Sequence, residues 1–238
     1  MSNSPLVSYT KLSPNHSGQR TRKIDRITPH CVVGQCSVER LGDIFLPASR
    51  EASCNYGIGA DGRVGMYVEE KNRSWCSSSN ANDQRAVTIE CASDGAEPYA
   101  FRDVVYQSLI TLCVDICKRN GKTKLLWLED KYKTLAYTPA PDEMVLTVHR
   151  WFANKSCPGN WMYARMGDLA EKVTAQLSTG TDEEDDDMDI NKFKELWREM
   201  RKELQDNDAS AYSEEARKWA VDNGIIRGGN SDEFNGMW

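Results

Sequence analysis

The sequence predicts a mixed α/β domain followed by a small helical C-terminal module. Three observations carry that expectation. Short β-branched or apolar runs alternate with segments of helical period through the first three quarters of the chain. A polar stretch, Leu177-Ser-Thr-Gly-Thr-Asp-Glu-Glu-Asp-Asp-Asp-Met-Asp189, then breaks the pattern with a block of like charges. Beyond it only helical periodicity remains.

Candidate strands are 27–33, 55–58, 63–68 and 86–92, the second and third joined through Ala60-Asp61-Gly62 as a hairpin. Across 101–119, Val104, Val105, Leu109, Leu112, Cys113 and Ile116 recur at helical spacing, and Asn120-Gly121 supplies the stop. This helix is expected to pack on the sheet. A second helix is expected after Pro158-Gly159, carrying Met162, Leu169, Val173 and Leu177. The acidic block at 179–189 repels itself and reads as an extended linker, its last acids also suited to cap the next helix. In the tail, Ile190, Phe193, Trp197, Met200 and Leu204 mark one face of an amphipathic helix, and a shorter helix near 216–221 ends at Asn223-Gly224. The expected organisation is a catalytic domain over 1–178, a linker over 179–189 and a helical module over 190–238. With so few apolar residues, that module has a marginal core of its own.

The 238 residues are 39% hydrophobic and 28% charged, the balance of a globular protein with room for one ordinary domain and an appendage. Residues 1–180 carry 22 Lys and Arg against 19 Asp and Glu, whereas the last 58 carry 8 against 17. The acidity belongs to the tail, so the charge distribution gives nucleic-acid binding little support. The N-terminus has no basic segment followed by an apolar one, and no apolar run approaches the roughly 20 residues of a membrane span. The expectation is a product made in the cytoplasm without its own export signal. Eight irregularly spaced cysteines without a Cys-x-x-Cys pair argue against a disulfide framework and for small buried hydrophobes.

Chemistry concentrates in His149-Arg-Trp-Phe-Ala-Asn-Lys-Ser-Cys157, followed by Pro158-Gly159. A histidine and a cysteine eight residues apart, bounded by a tight turn, can fold back to face one centre, and His30 on the first strand offers a third donor. Two imidazoles and one thiolate leave a fourth tetrahedral position open, the arrangement of catalytic zinc. Isolated His and Cys residues are more often packing or surface residues, so spacing alone leaves both readings open.

The ordered set Thr28-Pro-His30, Ala52-Ser-Cys-Asn-Tyr-Gly-Ile-Gly-Ala-Asp-Gly-Arg63, Arg73-Ser-Trp75, Ala86-Val-Thr-Ile-Glu90 and His149 through Pro158 resembles the type-2 N-acetylmuramoyl-L-alanine amidases, relatives of the peptidoglycan recognition proteins and of phage endolysins. The resemblance spans about 27–177. It implies a central mixed β-sheet flanked by helices, Zn2+ held by His30, His149 and Cys157, and hydrolysis of the amide bond between N-acetylmuramic acid and L-alanine of bacterial peptidoglycan. Many relatives place a catalytic tyrosine seven residues before the Asp-Gly turn. Cys54 stands there, with Tyr56 two residues on. Another branch uses a glutamate on the later strand, which assigns acid–base work to Glu90; the plain alternative is a solvated strand-edge carboxylate. Lys155, two residues before a ligand, is assigned to the oxyanion rather than to bare surface.

Asn55, Tyr56, Trp75, Asn80 and Asn82 are expected to approach the open face of the sheet and bind substrate, although Trp75 suits a core equally well. His16 is expected in solvent. Two rival readings remain: a peptidoglycan-binding module that does not cut, disfavoured because all three metal donors are present, and a cytoplasmic enzyme that recycles muropeptides. The favoured reading is an endolysin or prophage lysin acting on the cell wall. Residues 211–238 resemble wall-associated modules of clostridial-type lysins through Arg217-Lys-Trp-Ala-Val-Asp-Asn-Gly-Ile-Ile226, a length that leaves anchoring and oligomerisation both open.

Overall fold

In the computed structural model, which describes residues 2–179, 190–205 and 211–225, the chain divides into two units, Met1–Glu183 and Glu184–Trp238. The first contains β1 (Val7–Thr10), β2 (His16–Gln19), β3 (Arg26–Cys31), α1 (Val38–Phe45), β4 (Tyr56–Ile58), β5 (Val64–Met66), β6 (Asn72–Ser74), α2 (Asn80–Asp83), β7 (Ala86–Cys91), α3 (Asp103–Arg119), β8 (Lys124–Leu126), α4 (Lys131–Ala136), β9 (Glu143–Leu146), α5 (Asn160–Tyr163) and α6 (Met166–Thr179). Seven strands form one mixed sheet in the order β1-β5-β4-β7-β3-β9-β8, and β2 pairs with β6 in a separate ribbon. Only β4 and β5 run antiparallel within the large sheet, joined by the expected hairpin. Gly62 sits at φ +83°, a left-handed conformation that disfavours a side chain, and its N–H donates to Gly59 O at 2.8 Å.

Strand alternation decides what each face does. Ile27 and Cys31 of β3, with Val87, Ile89 and Cys91 of β7, join the main core. Helix α3 covers them with Val105, Leu109, Leu112, Cys113 and Ile116, and α6 adds Leu169, Val173 and Leu177 to the same core. The intervening Thr28, His30, Thr88 and Glu90 face the other way. A smaller cluster, Leu41, Phe45, Cys54 and Tyr67, fixes α1 to the sheet.

Several boundaries differ from expectation for identifiable reasons. The first expected strand, β3, ends at Cys31, and Val33 beyond it turns to φ 59°. The expected single helix after Gly159 is two, α5 and α6, separated at Ala164 and Arg165. The third expected strand stops at Met66, after which the amides of Tyr67 and Val68 both donate to Asn55 O. All eight cysteines are free, and five of them are buried. Among the described residues no helix is long and apolar enough to cross a membrane.

The second unit contains α7 (Ile190–Gln205) and α8 (Ala211–Asp222), the latter starting five residues earlier than expected. Gly224 at φ +69° follows it, as the Asn-Gly stop predicts. Phe193, Trp197 and Met200 lie on α7 with about half of their surface exposed. The side chains of Ile190 and Leu204, residues 180–189 of the expected linker and Ile226 lie outside the described residues.

Candidate active site

Register brings the first two groups together. β3 and β7 run parallel with His30 opposite Glu90 and Thr28 opposite Thr88, so an imidazole and a carboxyl stand side by side on the face away from α3. His30 is fully buried. The second pair comes from a closed loop. A short 3₁₀ turn at His149–Trp151 follows β9, and Arg150 N–H donates to Cys157 O at 3.1 Å, which folds Cys157 back beside His149. Trp151 stacks on Trp127 with ring centroids 5.1 Å apart and anchors the turn. Gly159, at φ +83°, ends the loop where a Cβ would meet Pro98 O at 2.7 Å.

The three donors converge as the sequence implies. Cys157 Sγ lies 3.3 Å from His30 Nδ1, the two histidine rings are 5.1 Å apart, and one ligand atom from each of the three residues lies within 4.8 Å of the others. A tetrahedral ion at ordinary Zn–S and Zn–N lengths separates sulfur from nitrogen by about 3.6 Å, close to the observed spacing. His149 Nε2 is 3.0 Å from Ser78 Oγ, a contact that orients the ring. Burial, and then the charge of His149, hold the His30 pKa well below its ordinary value; burial followed by Lys155 lowers that of His149. Both rings are thereby kept in the neutral form that ligates. Burial pushes the Cys157 thiol well up, so a cation must displace its proton. His30 Nε2 and Glu90 Oε2 are buried without hydrogen-bond partners, and His30, Cys76 and Glu90 form a second grouping of ligand type. The donor set therefore fits a zinc ion.

Glu90 is the acid–base candidate. Its Oε1 faces Cys76 Sγ at 3.8 Å, and burial pushes the carboxyl up to about 7 against the lowering effects of the Cys76 contact and Arg50. Two cavities of about 460 and 270 Å³ meet over this centre, sharing Phe45, Arg50, Glu90, His149 and Lys155. Lys155 thus stands in the same cleft as His149 and Cys157. Trp75 and Asn80 line the larger cavity.

The remaining expected substrate contacts are not brought to the cleft. Asn55 is fully buried: its Oδ1 accepts from Arg20 Nη2 at 2.8 Å and Thr88 N–H at 3.2 Å, while Nδ2 donates to the carbonyls of Val68, Glu69 and Asn72. Tyr56 is equally enclosed. Its hydroxyl donates to Glu70 Oε2 at 2.8 Å and accepts from Ser4 N–H at 2.9 Å, and burial followed by Glu70 raises its pKa far above the usual range. Asn82 is buried beneath the cleft floor, its Nδ2 donating to Thr28 Oγ1 and Ser77 Oγ. These three are framework residues, because β4 has cover on both faces and α2 turns Asn82 inward. Cys54 belongs to the buried cluster under α1. His16 lies on β2, half-buried, its Nδ1 accepting from Gly18 N–H at 3.0 Å rather than standing in solvent.

Four residues escaped the sequence reading. Arg50 enters the cleft from a 3₁₀ turn, Cys76 and Ser78 from the loop after β6, and Asp83 holds that loop by accepting from Cys76 N–H, Ser77 N–H and Ser77 Oγ. Serines and a lone arginine in irregular segments carry no periodic signal; Asp83, four residues after Ser79, is legible only as a first-turn acid of a short helix.

A family model described as N-acetylmuramoyl-L-alanine amidase matches residues 17–160. No curated protein matches the chain significantly. Among solved structures, a selenomethionine AmpD derivative shares 18% identity, covering 68% of this chain and 93% of its own, with a TM-score of 0.47. Drosophila peptidoglycan recognition protein SD shares 16%, covering 65% and 86%, with a TM-score of 0.47. The N-acetylmuramoyl-L-alanine amidase LysC from Clostridium intestinale URNW shares 17%, covering 72% and 95%, with a TM-score of 0.41.

Proposed function

Because the chain belongs to the N-acetylmuramoyl-L-alanine amidase family, we propose that it is a zinc-dependent enzyme hydrolysing the amide between N-acetylmuramic acid and L-alanine of bacterial peptidoglycan. The observation that carries this reading is the convergence of His30, His149 and Cys157 near Glu90, whose Oε2 is buried without a partner, at the junction of two cavities. Zinc, held by those three side chains, would supply Lewis acidity and lower the pKa of water. The protein's own groups do the rest. Glu90, poised to gain and lose a proton near neutral pH, accepts a proton from the attacking water and returns it to the departing amine nitrogen. Lys155, in the wall of both cavities, offsets the negative charge gathering on the former carbonyl oxygen. Ser78 holds His149 in place, and the Arg150–Cys157 main-chain bond fixes the loop that presents the thiolate. Trp75 and Asn80 provide an aromatic wall and an amide for a sugar–peptide substrate.

The reading extends to a lysin acting on the cell wall, with 1–178 as catalytic domain, 179–189 as linker and 190–238 as a wall-targeting module. The exposed apolar side chains of α7 and the tail's resemblance to wall-associated modules support that division. Incubation with purified walls and with soluble muropeptides, followed by mass spectrometry of the ends, tests it. Free lactyl carboxyls paired with new L-alanine amino termini are expected from both. New reducing sugar ends would refute the amidase, and cleavage confined to soluble muropeptides would refute the lysin.

A further inference from the structure

On the other side of α2 from the catalytic cleft lies a second and larger pocket, of about 830 Å³. Its walls carry Arg22, Lys23, Arg26 and Arg85, against a single carboxylate, Asp25. That carboxylate is already taken: Arg85 grips it through Nε at 2.8 Å and Nη2 at 2.5 Å. Arg26 is different. It is only 5% exposed, and among the described residues its guanidinium has one hydrogen bond, from Nη1 to Asn82 Oδ1 at 3.2 Å, and no ion pair. Burial lowers its pKa to about 10, which leaves it charged at neutral pH. Its remaining N–H donors border the pocket, and the nearby Asp25 carboxylate is occupied by Arg85, so an incoming anion can meet them.

The side chain is also held in place. Asn82, which faces it, is oriented by donating to Thr28 Oγ1 at 3.0 Å and Ser77 Oγ at 3.2 Å while accepting from Thr147 Oγ1 at 3.0 Å, all within buried structure. Such a network fixes the direction of the arginine before any ligand arrives. The pocket exceeds what a bare ion needs, and Leu135 and Phe152 give it an apolar side. These dimensions suit an acidic group carried on a larger chain. Ser79 and Asn80 line both this pocket and the catalytic cleft, so one extended ligand can follow that wall from one to the other.

We propose that this pocket is an oxyanion subsite, in which Arg26, Arg22 and Lys23 receive a carboxylate or phosphate group of a ligand seated in the cleft. Planar guanidinium groups suit both anions. Two sources share this chemistry, the free carboxylates of a peptide and the phosphodiesters of a polyol phosphate polymer. The assignment stands on the pocket itself and not on the amidase reading.

Binding to the full-length protein, measured by calorimetry with three probes, tests it without turnover. The probes are an acetylated Ala-Glu-Lys-Ala peptide, the same peptide with every carboxyl amidated, and a glycerol phosphate oligomer. At least tenfold tighter binding of either acidic probe than of the amidated peptide, weakening with salt, supports the subsite and assigns its source. The exposed pair Arg22→Ala with Lys23→Ala should reduce that affinity about tenfold, and the Arg26 Nε–Hε resonance should move on titration of the wild-type protein. Arg26→Gln should abolish the preference if it folds; the surface pair and the resonance decide the matter if it does not. Equal affinity for acidic and neutral probes, full affinity in the surface pair, or a static Arg26 resonance would overturn the proposal. A protein that fails to cut walls yet passes these measurements leaves the subsite standing.

Discussion

Replacing Glu90 by Gln keeps the shape of the side chain but removes the group that takes up a proton. A positioned acid–base group contributes about 10²–10⁴ to rate, equivalent to about 2.7–5.4 kcal/mol of barrier. The structure adds a second, independent expectation. Burial moves this carboxyl from 4.5 to about 7, so holding it charged in the folded, metal-free chain costs up to about 3 kcal/mol, an upper bound because the group borders the cleft. An acid whose folded pKa is raised contributes least to stability at high pH. The contribution of Glu90 should therefore be lost as pH rises from 4.5 through 7, and the stability difference between wild type and the Gln variant should open over the same range. Metal-free Glu90→Gln should therefore match the wild type at pH 4 and exceed it at pH 8 in urea unfolding, while its zinc-loaded form turns over a soluble muropeptide about 10²–10⁴ more slowly. Comparison at equal zinc occupancy separates proton transfer from metal loss. Near-normal turnover in Glu90→Gln would refute the assignment, and abolition of activity in Tyr56→Phe alongside it would move the role to the tyrosine.

Three further outcomes are expected. The purified protein should hold about one equivalent of zinc by elemental analysis, and Cys157→Ser should lose metal and activity together; full activity after exhaustive chelation would remove the metal from the reaction. Tyr56→Phe takes a hydrogen-bond partner from the buried Glu70 and from Ser4 N–H, so denaturant titration should show a loss of about 1–3 kcal/mol with kcat nearly intact. A chain ending at Ser178 should keep its fold and its action on soluble muropeptides while binding intact walls less well; unfolding by circular dichroism would tie the tail to the catalytic unit, and unchanged wall binding would end its targeting role.

What the sequence disclosed follows from where each residue stands. His30 and Glu90 were legible through the family resemblance, which pointed to two apolar runs that form β3 and β7. His149 and Cys157 were legible because Pro158-Gly159 marks a reversal of the chain. Asn55 and Tyr56 were misplaced since a strand of three residues shows its existence but not its cover; β4 lies between two strands, with Tyr56 in the main core and Gly57 against Tyr67 and Leu41. Arg50 and Ser78 could not be found, because a 3₁₀ turn and a loop set them by tertiary contact alone.

The pairing of β3 with β7 also bears on how this chain can change over time. Odd and even positions of these strands serve different masters, one set filling the interior and the other facing the cleft. Deleting one residue within 26–31 would therefore exchange the two sets, sending Thr28 among leucines and turning Ile27 towards the reaction. No intermediate sequence avoids both faults at once. Length variation among descendants of this chain should consequently collect in its turns, such as Ala60-Asp61-Gly62 and the Asn120-Gly121 stop, while the two central strands pass on the catalytic face and the hydrophobic interior as one heritable block.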